Sequence, residues 1–349
     1  MIAAVVERLG YIDVKEVADP ELLPGSLLVR VEACAVCGSD IRIFRKGDPR
    51  ATLPRIIGHE IAGVVEKLGK GVTGFTVGDR VAIAPGHGCG ICAYCRKGMG
   101  NVCVDPRPSV GYASSGGFAQ YIVPPLNVVQ NGFVNRIPDG LSFEDASLAE
   151  LLACCINGQE RASVGQGDTV LIMGAGPAGC MHVELARARG AAKVILTQRS
   201  QARLSLAAER FEPDLIIRAE GDELRERVKS ETGGLGADVV IVAAPSAQAQ
   251  EAAMHLAAPR GRINFFGGLP KDSRAITIDA NIIHYQEISL TGASSSLGRH
   301  NREALDLIAS GRVRAQRCIT HRFPLAETPA AFTAVEAKQA IKAVVFPWR

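Results

Sequence analysis

The run Val170-Leu171-Ile172-Met173-Gly174-Ala175-Gly176-Pro177-Ala178-Gly179 constrains the fold of this chain more than any other stretch. An apolar segment of strand length enters a G-x-G-x-x-G turn that opens into a helix, the setting in which the motif binds a dinucleotide. Gly174 permits the tight turn. Gly176 lets the backbone approach a pyrophosphate, and Gly179 lets helix and sheet pack closely. The helix start, with Pro177 and Ala178, offers unpaired N–H groups and a favourable dipole to phosphate.

The surrounding texture agrees. Thr169–Met173, a helix running to Arg189, Lys193–Thr197 and a further helix alternate, and residues 239–243 and 262–266 are apolar runs of strand length. Strands separated by helix-length segments predict an α/β, doubly wound parallel sheet. Before it, short alternating segments are broken by Gly and Pro, as in a β-rich barrel or partly open sheet. Helix periodicity is nearly absent until Ser142, which with Asp145 resembles a capping arrangement opening one long apolar helix. Residues 288–291, a helix over 301–310 and the strand-like 343–346 return the chain to the first domain. The expected domains are therefore 1–150 with 290–349, and 151–289.

Ten cysteines are present, and Cys89, Cys92, Cys95 and Cys103 fall within fifteen residues on a Gly-rich loop. Such a loop has little core in which to bury free thiols. Four thiolates at this spacing make a closed tetrahedral structural zinc site. His87 is a substitute ligand that four sulfurs make unnecessary. Cys34 lies in an apolar strand and is read as packing there.

The second strand of the parallel sheet ends in Thr197-Gln198-Arg199-Ser200, with Arg203 one turn further on. An acid at that strand end would bind the ribose hydroxyls of NAD. Here no carboxylate stands to repel a 2′-phosphate, and two guanidiniums and a hydroxyl can bind one. The reading favours NADP, while Gln198 could still accept a ribose hydroxyl of NAD.

One short stretch, Gly58-His59-Glu60, is weak alone. Read with Cys37, it offers nitrogen, sulfur and oxygen donors that zinc accepts with a position left open for substrate.

Together these features resemble the zinc-dependent medium-chain dehydrogenase/reductase family, in its alcohol, polyol (sorbitol-type) and L-threonine dehydrogenase branch. The likeness rests on Cys37-Gly38-Ser39-Asp40, Gly58-His59-Glu60, the four-cysteine lobe, Ala149-Glu150 with Cys154-Cys155, and the dinucleotide turn. It implies a GroES-like catalytic domain and a Rossmann domain with the site in the cleft between them, assembled as a homotetramer or homodimer. It implies two zinc ions per chain, with Cys37 and His59 as ligands of the catalytic one. Glu60 is then a ligand or an exchangeable near-ligand, and Glu150 a further metal-facing or water-binding carboxylate. Ser39 matches the hydroxyl that bonds the reacting oxygen. The implied reaction interconverts a secondary alcohol, polyol or sugar-like, and its ketone by hydride transfer from a zinc-bound alkoxide to the nicotinamide.

Three positions depart from the family. Arg42 replaces a relay His and cannot take a proton at neutral pH. Leu151 follows Glu150 where relatives often have Pro, and 294–299 lacks the Arg–Tyr pair found near sugar hydroxyls in animal-type relatives. An L-threonine or simple secondary-alcohol dehydrogenase is the alternative within enzymes. A non-catalytic, zinc-stapled redox sensor is the alternative outside them.

Composition excludes other classes. A net charge of +3 from 39 basic and 36 acidic residues, with no basic block, argues against nucleic acid or membrane partners. The first residues carry no secretory pattern, and no apolar run approaches the ~18–20 residues of a membrane span. A small-molecule enzyme of the cytoplasm is expected.

Overall fold

The computed structural model describes residues 1–270, 272 and 274–349. These divide into two compact units, 1–153 with 296–311 and 319–349, and 154–295 with 312–318.

Within the first unit, a seven-stranded sheet runs in the order Ile319–Pro324, Lys342–Phe346, Leu27–Ala35, Glu60–Leu68, Arg80–Ile83, Val134–Arg136, with Tyr121–Ile122 paired onto Leu27–Ala35. The central strand, LLVRVEACA, buries every second residue and then its last three, so one face is committed to the core along its length. That core is continuous from Val6 and Val29 to Phe118 and Phe332. Phe332 meets both Phe44 and Phe118 edge-on at 5.5 Å between ring centroids, the offset geometry that ring quadrupoles prefer.

Register in this sheet positions the site. Ala35 lies opposite Glu60 on one side and Val344 on the other. The start of the Glu60–Leu68 strand and the C-terminal strand therefore flank the point where the chain leaves for Cys37. A helix follows at once, Gly38–Lys46, in a region where helix periodicity is nearly absent. Its signal is local rather than periodic: Asp40 Oδ2 accepts the Cys37 backbone N–H at 2.9 Å, an N-terminal cap in which the acid sits three residues inside.

Two further expectations need adjustment. The long helix from Ser142 is two helices, Phe143–Ser147 and Ala149–Arg161, although Ser142 does cap the first through the Asp145 N–H at 3.1 Å. The strand near 290 does not join the first domain as expected. Instead Ser289–Gly292 pairs in parallel with Ala257–Phe265, Arg262 opposite Ser289, as the edge of the second unit's sheet.

The second unit's sheet is parallel, six strands in the order Leu215–Ile217, Lys193–Thr197, Thr169–Met173, Ala237–Val242, Ala257–Phe265, Ser289–Gly292. This is the Rossmann order, whose reversal point lies between Thr169–Met173 and Ala237–Val242. Residues 312–318 belong here as well, a placement no local pattern announces. Arg314 binds the buried carboxylate of Glu184 through its backbone N–H, Nε and Nη2, each at 3.0 Å. Among the described residues, no helix is long and apolar enough to cross a membrane.

Candidate metal and dinucleotide sites

Each unit carries a candidate site. In the first, ligand atoms of Cys37, His59 and Glu60 lie within 4.8 Å of one another. Strand pairing brings Glu60 there and the Gly38–Lys46 helix brings Cys37 at its N-terminal cap. Sulfur, nitrogen and carboxylate oxygen are the donors zinc takes, and the set fits the ion. Ser39 Oγ stands 3.3 Å from His59 Nε2. On the ring's other side His59 Nδ1 is 3.2 Å from Asp40 Oδ1, an ion-pair distance between two buried groups. A carboxylate behind a ligating imidazole fixes which ring nitrogen faces the metal. Asp40 was part of the sequence motif, yet only the structure shows what it faces.

Burial works against charge on His59, but the facing Tyr112, Asp40 and Cys37 raise its pKa well above the ordinary imidazole value. Tyr112 was also missed by sequence reasoning. Its ring lies 5.3 Å from that of His59, and the Arg50 guanidinium covers it at 4.2 Å. Arg42 turns away to Asp48, Nη2 to Oδ2 at 3.2 Å. Glu150 is nearly buried and outside the three-residue ligand group.

Behind Glu60 stands Lys342. Its Nζ donates to Glu60 Oε1 at 2.5 Å and to the Val36 carbonyl at 3.1 Å, with both side chains withdrawn from solvent. Burial alone would lower the ammonium pKa, but the negative charges of Glu60, Cys37 and Glu150 hold it above its ordinary value. No sequence motif pointed to this residue.

The four lobe cysteines form a second group in the first unit. Cys89 Sγ and Cys95 Sγ are 3.9 Å apart, and Cys92 Sγ and Cys103 Sγ 3.8 Å. Zinc–sulfur bonds of about 2.3 Å in a tetrahedron require sulfur–sulfur edges of about 3.8 Å, so the cradle already has the dimensions of the ion. Backbone N–H groups of Cys89, Cys92 and Cys95 point at sulfurs 3.3, 3.3 and 3.4 Å away. The one from Cys95 does most to bring the Cys92 thiol down, to about 6. His87 stays outside, Nε2 3.1 Å from the Asn101 carbonyl. Cys34 is fully buried in its strand.

In the second unit, Gly174 has φ of +117°, a conformation open chiefly to glycine. A Cβ on Gly179 would fall 1.7 Å from the Gly174 carbonyl oxygen, so no other residue fits there. Gly176 caps the Pro177–Ala188 helix, with Pro177 and Ala178 in its first turn. Beside this turn a cavity of about 380 Å³ is lined by Gly174, Gln198, Arg199, Glu220 and Ser246, among others. Its place at the strand ends by the switch point, with N–H groups free at the helix start, fits a dinucleotide.

The strand-end residues divide. Arg199 lines the cavity; Arg203 instead holds Nη1 4.0 Å from where a Gly176 Cβ would stand, over the dinucleotide turn. Gln198 Oε1 already accepts the Arg199 N–H at 2.8 Å, and Ser200 is the N-cap of the Gln201–Phe211 helix. The expectation that no carboxylate stands here needs correcting. Glu220, from the end of the neighbouring strand, puts Oε1 3.3 Å from Arg199 Nε. Parallel pairing of Thr197 with Ile217 brings the two ends together, and that pairing cannot be read from either segment alone.

Comparison with known proteins agrees with this geometry. Residues 23–133 match the alcohol dehydrogenase GroES-like domain, and residues 177–310 the zinc-binding dehydrogenase domain. A sorbitol dehydrogenase of Bacillus subtilis (strain 168) is 32% identical over all of this chain and 98% of its own length. The solved structure of a protein assigned as a zinc-binding dehydrogenase from Sinorhizobium meliloti 1021, bound to NADP, superposes with a TM-score of 0.89 at 32% identity, covering 99% of both chains. The alcohol dehydrogenase rspB from E. coli CFT073, complexed with NADH, gives 0.88 at 28% identity over 99% of both.

Proposed function

From the premise that the chain belongs to the zinc-dependent medium-chain dehydrogenase/reductase family, we propose that it interconverts a polyol or sugar-like secondary alcohol and its ketone, with NADP. It is a zinc-dependent oxidoreductase using a nicotinamide cofactor on small alcohols and ketones. The observation that carries the alcohol–ketone chemistry is the convergence of half-buried Cys37 with buried His59 and Glu60 beside the hydroxyl of Ser39; the polyol substrate is drawn from the sorbitol dehydrogenase relative and NADP from Arg199 in the cavity.

When bound, zinc supplies Lewis acidity toward the substrate oxygen and the nicotinamide accepts or returns the hydride. Cys37 and His59 hold the catalytic ion, and Asp40 keeps Nε2 of His59 turned toward it. Glu60 or Glu150 completes the set. Ser39 Oγ, 3.3 Å from His59 Nε2, takes the hydroxyl proton of the substrate and passes it outward. Arg42 cannot receive it, so the relay ends at solvent or the ribose. Tyr112, buried against His59, helps exclude water. The four lobe cysteines hold a second, structural zinc, which the sulfur spacing supports.

For the cofactor, Gly174, Gly176, Pro177, Ala178 and Gly179 receive the pyrophosphate. Arg199 meets the 2′-phosphate, with Gln198 and Ser200 at the same strand end. Arg203, stationed over the turn, serves the phosphates common to both cofactors. Cysteines clustered as zinc ligands suit a reducing compartment, hence the cytoplasm. The family's usual homotetramer or homodimer is the proposed assembly.

The deciding experiment is a turnover screen across tetritols to hexitols, inositols, simple secondary alcohols and L-threonine, with NADP and NAD. Polyol turnover is expected; turnover of L-threonine or simple alcohols without any polyol would replace the substrate assignment.

A further inference from the structure

We propose that Glu220 is a specificity-determining residue of the dinucleotide cavity: its carboxylate pairs with Nε of the Arg199 guanidinium and competes with a 2′-phosphate for it. The inference rests on the NADP reading above and goes beyond it. Glu220 and Arg199 both line the cavity, 3.3 Å apart, with most of each side chain open to solvent. An exposed pair of this kind is weakly held. A phosphate monoester carries nearly two charges and three acceptor oxygens against one charge on a carboxylate, so it displaces the carboxylate from the guanidinium.

The displaced carboxylate remains beside the phosphate, and its repulsion offsets part of what Arg199 contributes. Arg218 limits the penalty. Its Nε donates to the Arg199 carbonyl at 3.3 Å, placing a second guanidinium by the same strand end. Gln198 does not compete, since its Oε1 is held by the Arg199 N–H. Selectivity at this strand end is therefore a balance of Arg199 and Arg218 against Glu220.

Direct binding tests the proposal. NADPH and NADH are titrated by their fluorescence into the wild-type, Glu220→Gln, Arg199→Ala and doubly substituted proteins, at low and at physiological salt. Glu220→Gln should lower the Kd for NADPH about two- to fivefold, the range of an exposed ion pair, most clearly at low salt. It should shift the Kd for NADH by less than about twofold, and the gain should vanish when Arg199 is also Ala. An unchanged or raised Kd for NADPH overturns the role of Glu220. The NADP reading fails in a different pattern. The wild type would then hold NADH more tightly, Arg199→Ala would leave the ratio of the two unchanged, and Glu220→Gln would weaken NADH by removing an acceptor for a ribose hydroxyl.

Discussion

Lys342 Nζ lies 2.5 Å from Glu60 Oε1, an ion pair between residues 282 apart in sequence, with 2% and 0% of their side chains exposed. The pair sits directly behind the proposed catalytic metal site, where Glu60 Oε2 has no hydrogen-bond partner among the described residues. One carboxylate oxygen is thus anchored to the C-terminal strand, and the other is left for the site.

Removing one partner of a buried pair strands the other charge, so Lys342→Met should destabilise the protein by about 3–5 kcal/mol in urea denaturation. The double substitution Lys342→Met with Glu60→Gln should recover most of that loss. If the single variant unfolds at the wild-type midpoint, the pair has no structural role.

Metal analysis should find two zinc ions per chain, one in Cys37→Ala and one in Cys95→Ser. The lobe variant should also lose thermal stability, because the lobe's helix Ala93–Arg96 buries no side chain that would order it without the metal. Glu60→Ala should release the catalytic-site zinc to a chelator at least about tenfold faster than wild type. Release at the wild-type rate would put Glu60 outside the coordination sphere and leave Glu150 as the carboxylate to test.

The two arginines near the cavity should separate kinetically. Arg199→Asp should raise the KM for NADP by about tenfold or more, one charge-assisted hydrogen-bond site being worth about 1.5–3 kcal/mol, with a much smaller effect on NAD. Arg203→Ala should raise both constants by similar factors, since its guanidinium lies over the turn that both cofactors share. Equal effects of Arg199→Asp on both cofactors would remove it from the 2′-phosphate site.

A stability effect with pH is expected from a buried histidine of the second unit. Full burial, with the nearby charge of Arg189, pushes His182 down to about 3, so it is neutral in the folded protein. The unfolded chain takes up a proton below about 6.5. Between these values the unfolded state binds more protons, so stability falls with acidification, by up to about 1.4 kcal/mol per pH unit from this one group. The stability difference between wild type and His182→Gln, measured by urea denaturation from pH 7 to 4, should shrink or reverse as pH falls. A constant difference would show that His182 ionises freely.

Much of the molecule is readable without coordinates wherever chemistry is local in sequence. Thr169–Met173 and Lys193–Thr197 match the strands to the residue, since buried parallel strands are short continuous apolar runs bounded by turns. The lobe cysteines are equally legible, because ligand spacing within fifteen residues is itself the geometry. Where partners are distant, the reading runs out. Ser289–Gly292 carries no mark saying which sheet it joins, and the carboxylate of Glu220 was invisible from the strand end it faces.

The amino-acid order by itself determined which cysteines cluster in the lobe, the dinucleotide turn and the fold class, because each depends on spacing within a turn, a strand or a loop. Only the tertiary structure decided which charges meet. Asp40 behind His59, Lys342 behind Glu60, Glu220 beside Arg199 and Arg314 on Glu184 are all set by strand register and helix packing. The physical reason is that an ion pair depends on separation in space, and between strands that separation follows from pairing partners chosen by the whole core rather than by neighbours in the chain.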